Sequence, residues 1–487
     1  MKKYVLAIDQ GTTSSRVVLV DRFGDVKHIE QMTIGQSFPF DGAVLQNAEE
    51  IYDSVVLLID RMFKRHDVDP KDIIAMGITN QRETTILFDK TTGKSLYHAI
   101  SWQSRQTEEI TNKWIKKGYD DIVLRKTGLK INPYFSASKI RYILDRINAD
   151  VENVRFGTVD TYLLYRLTNN KVHKTDVTNA SRTMIFNIET LIWDEELLQM
   201  FNIPKSILPE VCANDELYGY YNYNGIDIPI YGMIGDQQSA LFGHQCFEPG
   251  EAKVTYGTGC FMLMNTGADI YYSDNGLIST IGWRMKNKTT YALEGSVFMG
   301  GAAVKWIRDR LGIIKNASET EKLAASSNDD TLYVVPAFVG LGAPYWDNQV
   351  RGSILGLKSH TTKADIAKAT LNSIAYQVND LLEVMDKDAK VNIQSISVDG
   401  GASENRYLMQ FQSSISQVKL IQTAESEVTA LGAAYLAGLA SGYWNSFEEL
   451  KKNRKIKQIF HPLLSKDEAK KRYEKWLLAV KATQSFR

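Results

Sequence analysis

Short apolar runs broken by small-residue turns open the chain. Residues 4–8, 16–20 and 26–31 are β-branched or alternating stretches, the last entered through Phe23-Gly24, and they predict three strands joined by hairpins. Residues 49–65 then repeat apolar side chains at Ile51, Val55, Leu58, Ile59 and Met62, which is helical spacing. Residues 73–78 and 85–88 predict strands around the polar loop Asn80-Gln81-Arg82-Glu83-Thr84. Residues 102–116 and 136–147 predict helices, and 157–168 is a further apolar segment. Residues 228–234 predict a strand that ends at Gly235-Asp236-Gln237.

After Gly250 the same grammar restarts. Residues 252–256 predict a strand, Gly257-Thr258-Gly259 a turn, and 261–265 a second strand. A strand–small-residue turn–strand unit therefore opens each half, which suggests a duplicated core. A boundary near 244–251 is expected, giving domains 1–246 and 247–487. Residues 366–385 predict a long amphipathic helix with Leu371, Ile374, Val378, Leu381 and Leu382 on one face. Residues 396–412 read as a strand, Asp399-Gly400-Gly401 and a helix. Ser465-Lys466-Asp467-Glu468 is a capping box that opens a last helix, with Tyr473, Trp476, Leu477 and Val480 facing inward.

Bulk properties narrow the function classes. A chain of 487 residues favours two domains. Lys+Arg and Asp+Glu balance at 57 each, which argues against nucleic-acid or anionic-membrane partners. Met1-Lys2-Lys3 runs into a strand interrupted by Asp9, so no signal peptide is expected, and no apolar run reaches membrane-spanning length. Cys212, Cys246 and Cys260 lack CxxC spacing, which fits a reducing cytoplasm. The seven His are scattered and suggest no metal cluster, and His244 reads as a packing residue.

Two turns carry the chemistry. Residues 9–16 place Asp9 at a strand end, then Gly-Thr-Thr-Ser-Ser, then Arg16, a turn longer and richer in hydroxyls than a two-residue hairpin needs. Free backbone N–H groups in such a turn face phosphate oxygens, Asp9 is placed to hold a cation, and Arg16 adds a charge for phosphoryl oxygens. Asp399-Gly400-Gly401 is the second such turn, so a nucleotide bound between two domains is expected. Gly93-Lys94-Ser95 has Phe88 where a Walker A loop needs glycine, and a hairpin turn is the better reading. Arg82-Glu83 reads either as a solvated surface pair or as a polyol-binding pair among hydrogen-bonding neighbours. Asp236 reads either as a helix cap or as a catalytic carboxylate at a strand's C-terminal end. Trp102, Tyr134 and Phe261 are single aromatics in polar neighbourhoods.

The residues also carry a resemblance. IDQGTTSSR (8–16), GITNQRETT (77–85), WQSR (102–105), NPYFSASK (132–139), TNASRTM (178–184), GDQQSALFG (235–243), TYGTGCFMLMNTG (255–267), YALEG (291–295), VDGGA (398–402) and TALGAAYLAGLA (429–440) resemble the FGGY carbohydrate kinases along nearly the whole chain. NQRETT, GDQQ and TYGTGCFMLMN resemble the glycerol-phosphorylating members rather than the xylulose, ribulose or gluconate ones. The resemblance implies an α/β fold of two actin-like ATPase (ribonuclease H-like) domains with a nucleotide cleft between them. It implies ATP-dependent phosphorylation of glycerol to sn-glycerol 3-phosphate, with ATP and Mg²⁺, a cytoplasmic setting and a homo-oligomer (dimer or tetramer). Another small polyol or sugar is the alternative acceptor. By the same likeness Asp236 is the general base and Arg16 is catalytic. Arg82, Glu83, Trp102, Tyr134, Asp236, Gln237 and Phe261 form the glycerol pocket. Thr12, Thr13, Ser14, Arg16, Thr258, Gly301, Lys305, Gly401 and Asn405 meet the nucleotide, and Asp9 lies near the magnesium. Several positions depart from the family pattern: the segment 42–47 differs, Lys305 replaces a glutamine, Ala137 and Tyr142 replace a glycine and a tryptophan, Asp227 replaces an arginine that serves sugar-bisphosphate inhibition in some relatives, and no His lies between 212 and 235 where some relatives carry a regulatory phosphohistidine.

Overall fold

The computed structural model describes residues 3–347, 349–389 and 391–486. Two mixed sheets dominate it. The first holds β1 (Tyr4–Gln10), β2 (Ser14–Val20), β3 (Val26–Thr33), β4 (Ile73–Asn80), β5 (Leu217–Tyr223) and β6 (Ile226–Gly235), in the order β5-β6-β4-β1-β2-β3. The second holds β7 (Glu251–Tyr256), β8 (Cys260–Gly267), β9 (Ile278–Met285), β10 (Lys288–Val297), β11 (Ser395–Asp399), β12 (Leu420–Thr423) and β13 (Ile456–Phe460), in the order β9-β10-β8-β7-β11-β12-β13.

The two sheets repeat one plan. β1 pairs antiparallel with β2 and parallel with β4, β2 is antiparallel to β3, and β6 is parallel to β4 and antiparallel to β5. β7 stands in the same relation to β8 and β11, β8 to β10, and β12 to β11 and β13. Strand β9 is an addition at the edge of the second sheet.

Central strands are apolar on both sides because helices cover both faces. Val5–Ile8 of β1 and Val17–Val20 of β2 are fully buried. On one face lies α1 (Ala48–Arg65), which starts where the Asn47 carboxamide accepts from the Glu49 amide at 3.0 Å, and whose five predicted apolar positions are buried. The other face meets α2 (Asp236–Gly243) and the helix Val428–Ala440, the latter contributed by the second half of the chain. Small residues make that seam close. A Cβ on Gly77 would lie 2.4 Å from the Ala433 carbonyl, and one on Gly432 1.9 Å from the Ser239 carbonyl.

Three elements differ from their sequence pattern. Residues 102–107 are a loop, and the helix there is Glu108–Lys116. Amides in and just before the loop are used elsewhere: Ser101 N donates to Val44 O at 3.0 Å and Arg105 N to Gly42 O at 2.7 Å. The long helix α4, counting α3 as Gly301–Asp309, spans Lys363–Ala389 and is buried on all sides over 367–382 rather than on one face. Its polar residues tolerate this because they find partners: Asn372 accepts from the Tyr407 hydroxyl at 3.0 Å, and Asp380 from the Tyr473 hydroxyl at 2.7 Å and Trp476 Nε1 at 3.1 Å. The last helix, Lys466–Ser485, is capped by Ser465 as expected, but Leu477 is exposed and Ala469, Trp476, Val480 and Thr483 form its buried stripe. Residues 91–94 make the expected hairpin turn, with Asp89 accepting from the Thr91 and Thr92 amides. Among the described residues no helix is long and apolar enough to cross a membrane.

Candidate active site

The turn between β1 and β2 is one wall of the site. Gly11 N donates to Ser14 O at 2.9 Å and closes it. Thr12 is pinned twice: its carbonyl accepts from Gln46 Nε2 at 2.8 Å, and its hydroxyl from Trp102 Nε1 at 2.9 Å. Thr13 is exposed and Ser14 buried. Asp9 and Arg16 are cross-strand partners, with Asp9 Oδ2 3.4 Å from Arg16 Nη1. Arg16 Nε lies 3.6 Å from Glu427 Oε2 and makes no hydrogen bond among the described residues. Burial pushes the Asp9 carboxyl up to about 7; Arg16 opposes this, while Asp236 and Glu427 add repulsion.

The loop after β4 is locked onto that turn. Gln81 N donates to Gln10 O at 2.7 Å, Gln81 Nε2 to Gln10 Oε1 at 3.0 Å, and Thr84 Oγ1 to Gln81 Oε1 at 2.9 Å. Asn80 and Asn179 exchange two side-chain hydrogen bonds at 3.0 Å each. The amides and hydroxyl of this loop thus serve the fold.

Arg82 and Glu83 are no solvated pair: both are buried, in a cage of two arginines and two glutamates. Arg82 donates through Nη1 to Glu294 Oε2 at 2.7 Å and through Nη2 to Glu294 Oε1 at 3.1 Å. Arg182 donates through Nε to Glu83 Oε1 at 2.6 Å and through Nη2 to Glu294 Oε1 at 3.0 Å, while its buried Nη1 has no hydrogen-bond partner among the described residues. Two cations hold the Glu294 carboxyl down at about 2 against the burial that would raise it. Glu83 sits at φ 59°, a conformation that costs a non-glycine residue energy. Its carbonyl is stapled by Ser136 Oγ at 3.2 Å and by Lys139 Nζ at 3.3 Å. Trp102 and Tyr134 meet edge to face, their ring centroids 5.7 Å apart.

Asp236 is the first residue of α2. Gly235, not Asp236, is the cap residue, while Asp236 Oδ1 accepts from the Gln237 amide at 2.7 Å. Its Oδ1 lies 3.2 Å from Arg82 Nε, and 27 % of its side chain remains open to solvent. Burial raises its pKa to about 6, with Arg82 opposing and Glu83 adding repulsion. The neighbouring Gln237 accepts at Oε1 from Lys253 Nζ, a fully buried ammonium on β7 that also donates to Thr255 Oγ1 at 3.2 Å.

The second half carries the matching turn. Gly257 N donates to Gly259 O at 2.9 Å. The N-terminus of α3 docks on this turn: Gly300 N donates to Thr258 O at 2.9 Å and Gly301 N to Gly257 O at 2.8 Å. Lys305 is exposed on α3, and Phe261 is half-buried on β8 opposite Thr255. Gly401 has open space where a Cβ would stand, whereas the preceding Gly400, at φ 87°, abuts the Tyr256 carbonyl. Asn405 caps the helix Arg406–Ser416, accepting from Leu408 N at 3.0 Å, and donates to Thr320 Oγ1 at 3.0 Å. His244 does more than pack: its Nε2 lies 3.0 Å from Asp399 Oδ2, tying the end of α2 to the end of β11.

Direct contacts and charge thus join Asp9, Thr12, Arg16, Arg82, Glu83, Trp102, Tyr134, Asp236 and Gln237, and Lys253 links them to the second sheet. Sequence reasoning did not single out Arg182, Glu294, Lys253 or Glu427 as site residues. A charged residue set between apolar or small neighbours in a strand, Lys253 between Ala252 and Val254 and Glu294 between Leu293 and Gly295, was the available signal.

This arrangement has known counterparts. The model of the FGGY family of carbohydrate kinases, N-terminal domain, matches residues 4–243, and that of the C-terminal domain matches residues 252–441. The chain is 50 % identical to a glycerol kinase of Pediococcus pentosaceus, covering 100 % of this chain and 98 % of the relative. It is 48 % identical to a glycerol kinase of Bacillus anthracis, covering 100 % of both. The crystal structure of Plasmodium falciparum glycerol kinase with ADP superposes with a TM-score of 0.94 at 36 % identity, covering 99 % of this chain and 98 % of that one. Two sheets of one plan, the matched models and these full-length likenesses agree: the chain belongs to the FGGY family of carbohydrate kinases.

Proposed function

We propose that this chain transfers the γ-phosphoryl group of ATP to a terminal hydroxyl of glycerol, giving sn-glycerol 3-phosphate and ADP. The observation that carries the reading is Asp236, a partly open carboxylate with a pKa of about 6, held 3.2 Å from Arg82 Nε beside the Asp9–Arg16 turn. A base poised near working pH, next to groups suited to phosphate, fits phosphoryl transfer to an alcohol. The full-length likeness to glycerol kinases selects the acceptor.

In this reading Arg82 and Glu83 bond the glycerol hydroxyls, Gln237 adds an amide, and Trp102, Tyr134 and Phe261 cover the carbon chain. Asp236 accepts the hydroxyl proton as the oxygen attacks phosphorus in line. The new O–P bond forms while the bond to the β-phosphate oxygen breaks, and ADP leaves. Thr12, Thr13, Ser14 and Arg16 receive the phosphoryl oxygens. Thr258, Gly301, Lys305, Gly401 and Asn405 line the nucleotide side, across a division of the chain into 1–246 and 247–487. Mg²⁺ fits the donor set: Asp9 is a buried carboxylate facing the charges of Asp236 and Glu427, an excess of negative charge that a divalent cation relieves. An ion at Asp9 would be completed by waters and substrate phosphates. When bound, it neutralises charge on the transferring phosphates.

A coupled assay of ADP release, run with glycerol and a panel of longer polyols and sugars, tests the proposal. Turnover with glycerol and a product identified as sn-glycerol 3-phosphate is expected; preference for a longer polyol or sugar overturns the acceptor assignment.

A further inference from the structure

Lys253 is a buried ion that the reaction scheme leaves unused. It stands on β7, in the second half, and reaches across to α2, in the first. Its ammonium donates to Gln237 Oε1 and, at 3.2 Å, to Thr255 Oγ1. A lysine ammonium has three N–H donors and no acceptor. Whatever faces it must accept, so the Gln237 amide can take one orientation only: oxygen towards Lys253, NH₂ away from it. An amide without such a neighbour could present either end to a substrate. The groups that face Lys253 come from four further elements: Asp236 and Gln237 of α2, Asp399 of β11, Arg82 of the loop after β4, and Glu294 of β10. Burial lowers its pKa, while Asp399, Asp236 and Glu294 hold the charge in place.

We infer that Lys253 is a positioning residue: it fixes Gln237 as a hydrogen-bond donor to the acceptor substrate and supplies positive charge beside the Asp236 carboxylate. The inference rests on the acceptor pocket proposed above. It assigns two separable effects to one side chain. Removing Lys253 lets the Gln237 amide turn, which weakens acceptor binding. It also removes a cation that helps keep Asp236 ionised, which raises the Asp236 pKa and moves the acid limb of the rate profile to higher pH.

The test compares wild type, Lys253→Met, Lys253→Arg and Gln237→Glu. Calorimetric titration of glycerol without nucleotide is followed by rate–pH profiles with whichever polyol the wild type phosphorylates. Lys253→Met is expected to bind the polyol roughly 5- to 100-fold more weakly, the consequence of a lost or misdirected buried hydrogen bond, and to show its acid limb at higher pH. Lys253→Arg, which keeps a donor-only cation, is expected to restore the acid limb and part of the affinity. Polyol affinity and acid limb both unchanged in Lys253→Met overturn the inference. Should Lys253→Met fail to fold, Gln237→Glu decides: it keeps the partner of Lys253 but replaces the outward donor with an acceptor. Weaker polyol binding supports the inference, and unchanged binding overturns it. Wild-type protein that ignores glycerol but uses another polyol strikes the substrate reading alone.

Discussion

The openings of the two halves share a frame and differ in chemistry. In the first sheet the pair beyond the turn is Asp9 and Arg16, with Thr79 beside Asp9 on the parallel neighbour. In the second sheet the equivalent pair is Thr255 and Phe261, with Asp399 beside Thr255. The charge has moved one strand over, and the arginine has become an aromatic. Both turns are closed by their own backbone hydrogen bond. Apolar strands and glycine turns therefore build the frame, and two or three residues at the strand ends decide what each copy does. The first copy concentrates charge near Asp236; the second carries a glycine turn and, at Gly401, open space.

The largest effect expected is at the carboxylate that the first sheet delivers. Asp236→Asn removes the proton acceptor and should lower kcat by about 10²–10⁴ while glycerol still binds in a calorimetric titration. Wild-type activity should fall about tenfold per pH unit below a limb near 6, because the base works only when ionised and its pKa is about 6. Near-normal turnover in the variant would remove Asp236 from the mechanism.

Next, the paired positions can be set against each other. Asp9→Asn should cost about 10²–10³ in kcat, the scale for losing one group that stabilises transition-state charge. Thr255→Val, at the matching position, should cost only about 5-fold, the scale of one hydrogen bond to Lys253. Stability should move the opposite way. The folded Asp9 pKa of about 7 lies above the ordinary aspartate value of 3.8, so ionisation penalises the fold as pH rises above 3.8, and Asp9→Asn should raise Tm at neutral pH. Equal kinetic losses at the two positions would collapse the contrast between the halves.

A smaller loss is expected at Glu83. Glu83→Ala leaves Arg182 without its 2.6 Å partner and should cost roughly 1–3 kcal/mol in glycerol binding, with the KM for ATP unchanged. An ATP defect with normal glycerol kinetics would contradict the assignment. Smallest of all, Gly401→Val enters open space and should shift stability by less than about 0.5 kcal/mol, while raising the KM for ATP because the nucleotide then meets a side chain. An unchanged KM for ATP would take Gly401 out of the nucleotide wall.

Much of the frame was legible along the chain. Strands 4–8 and 16–20 and the helix 49–65 follow from spacing alone, because each buries a run of apolar residues and its period is local; strand 26–31 forms at the sheet edge with Ile29 exposed and Glu30 buried. Trp102 misled because the segment before the helix holds to a part of the chain distant in sequence, Arg105 N donating to Gly42 O and Ser101 N to Val44 O, which no local period records. Leu477 misled because i+4 and i+3 positions compete for one stripe, and the side chains packed alongside choose between them.

The sequence by itself therefore determined the element types, the repeated opening of two halves, the family likeness and the strand ends where Asp9, Arg82, Glu83 and Asp236 gather. Tertiary structure alone decided the partners. Arg182 and Glu83 are 99 residues apart, Arg82 and Glu294 212 apart, and His244 and Asp399 155 apart. No local period records such pairings, since burying one charge depends on a counter-charge that arrives from another part of the chain. For the same reason Lys253 looks from the sequence like an interruption of a strand, and only the packed sheets make it the ion that orients Gln237.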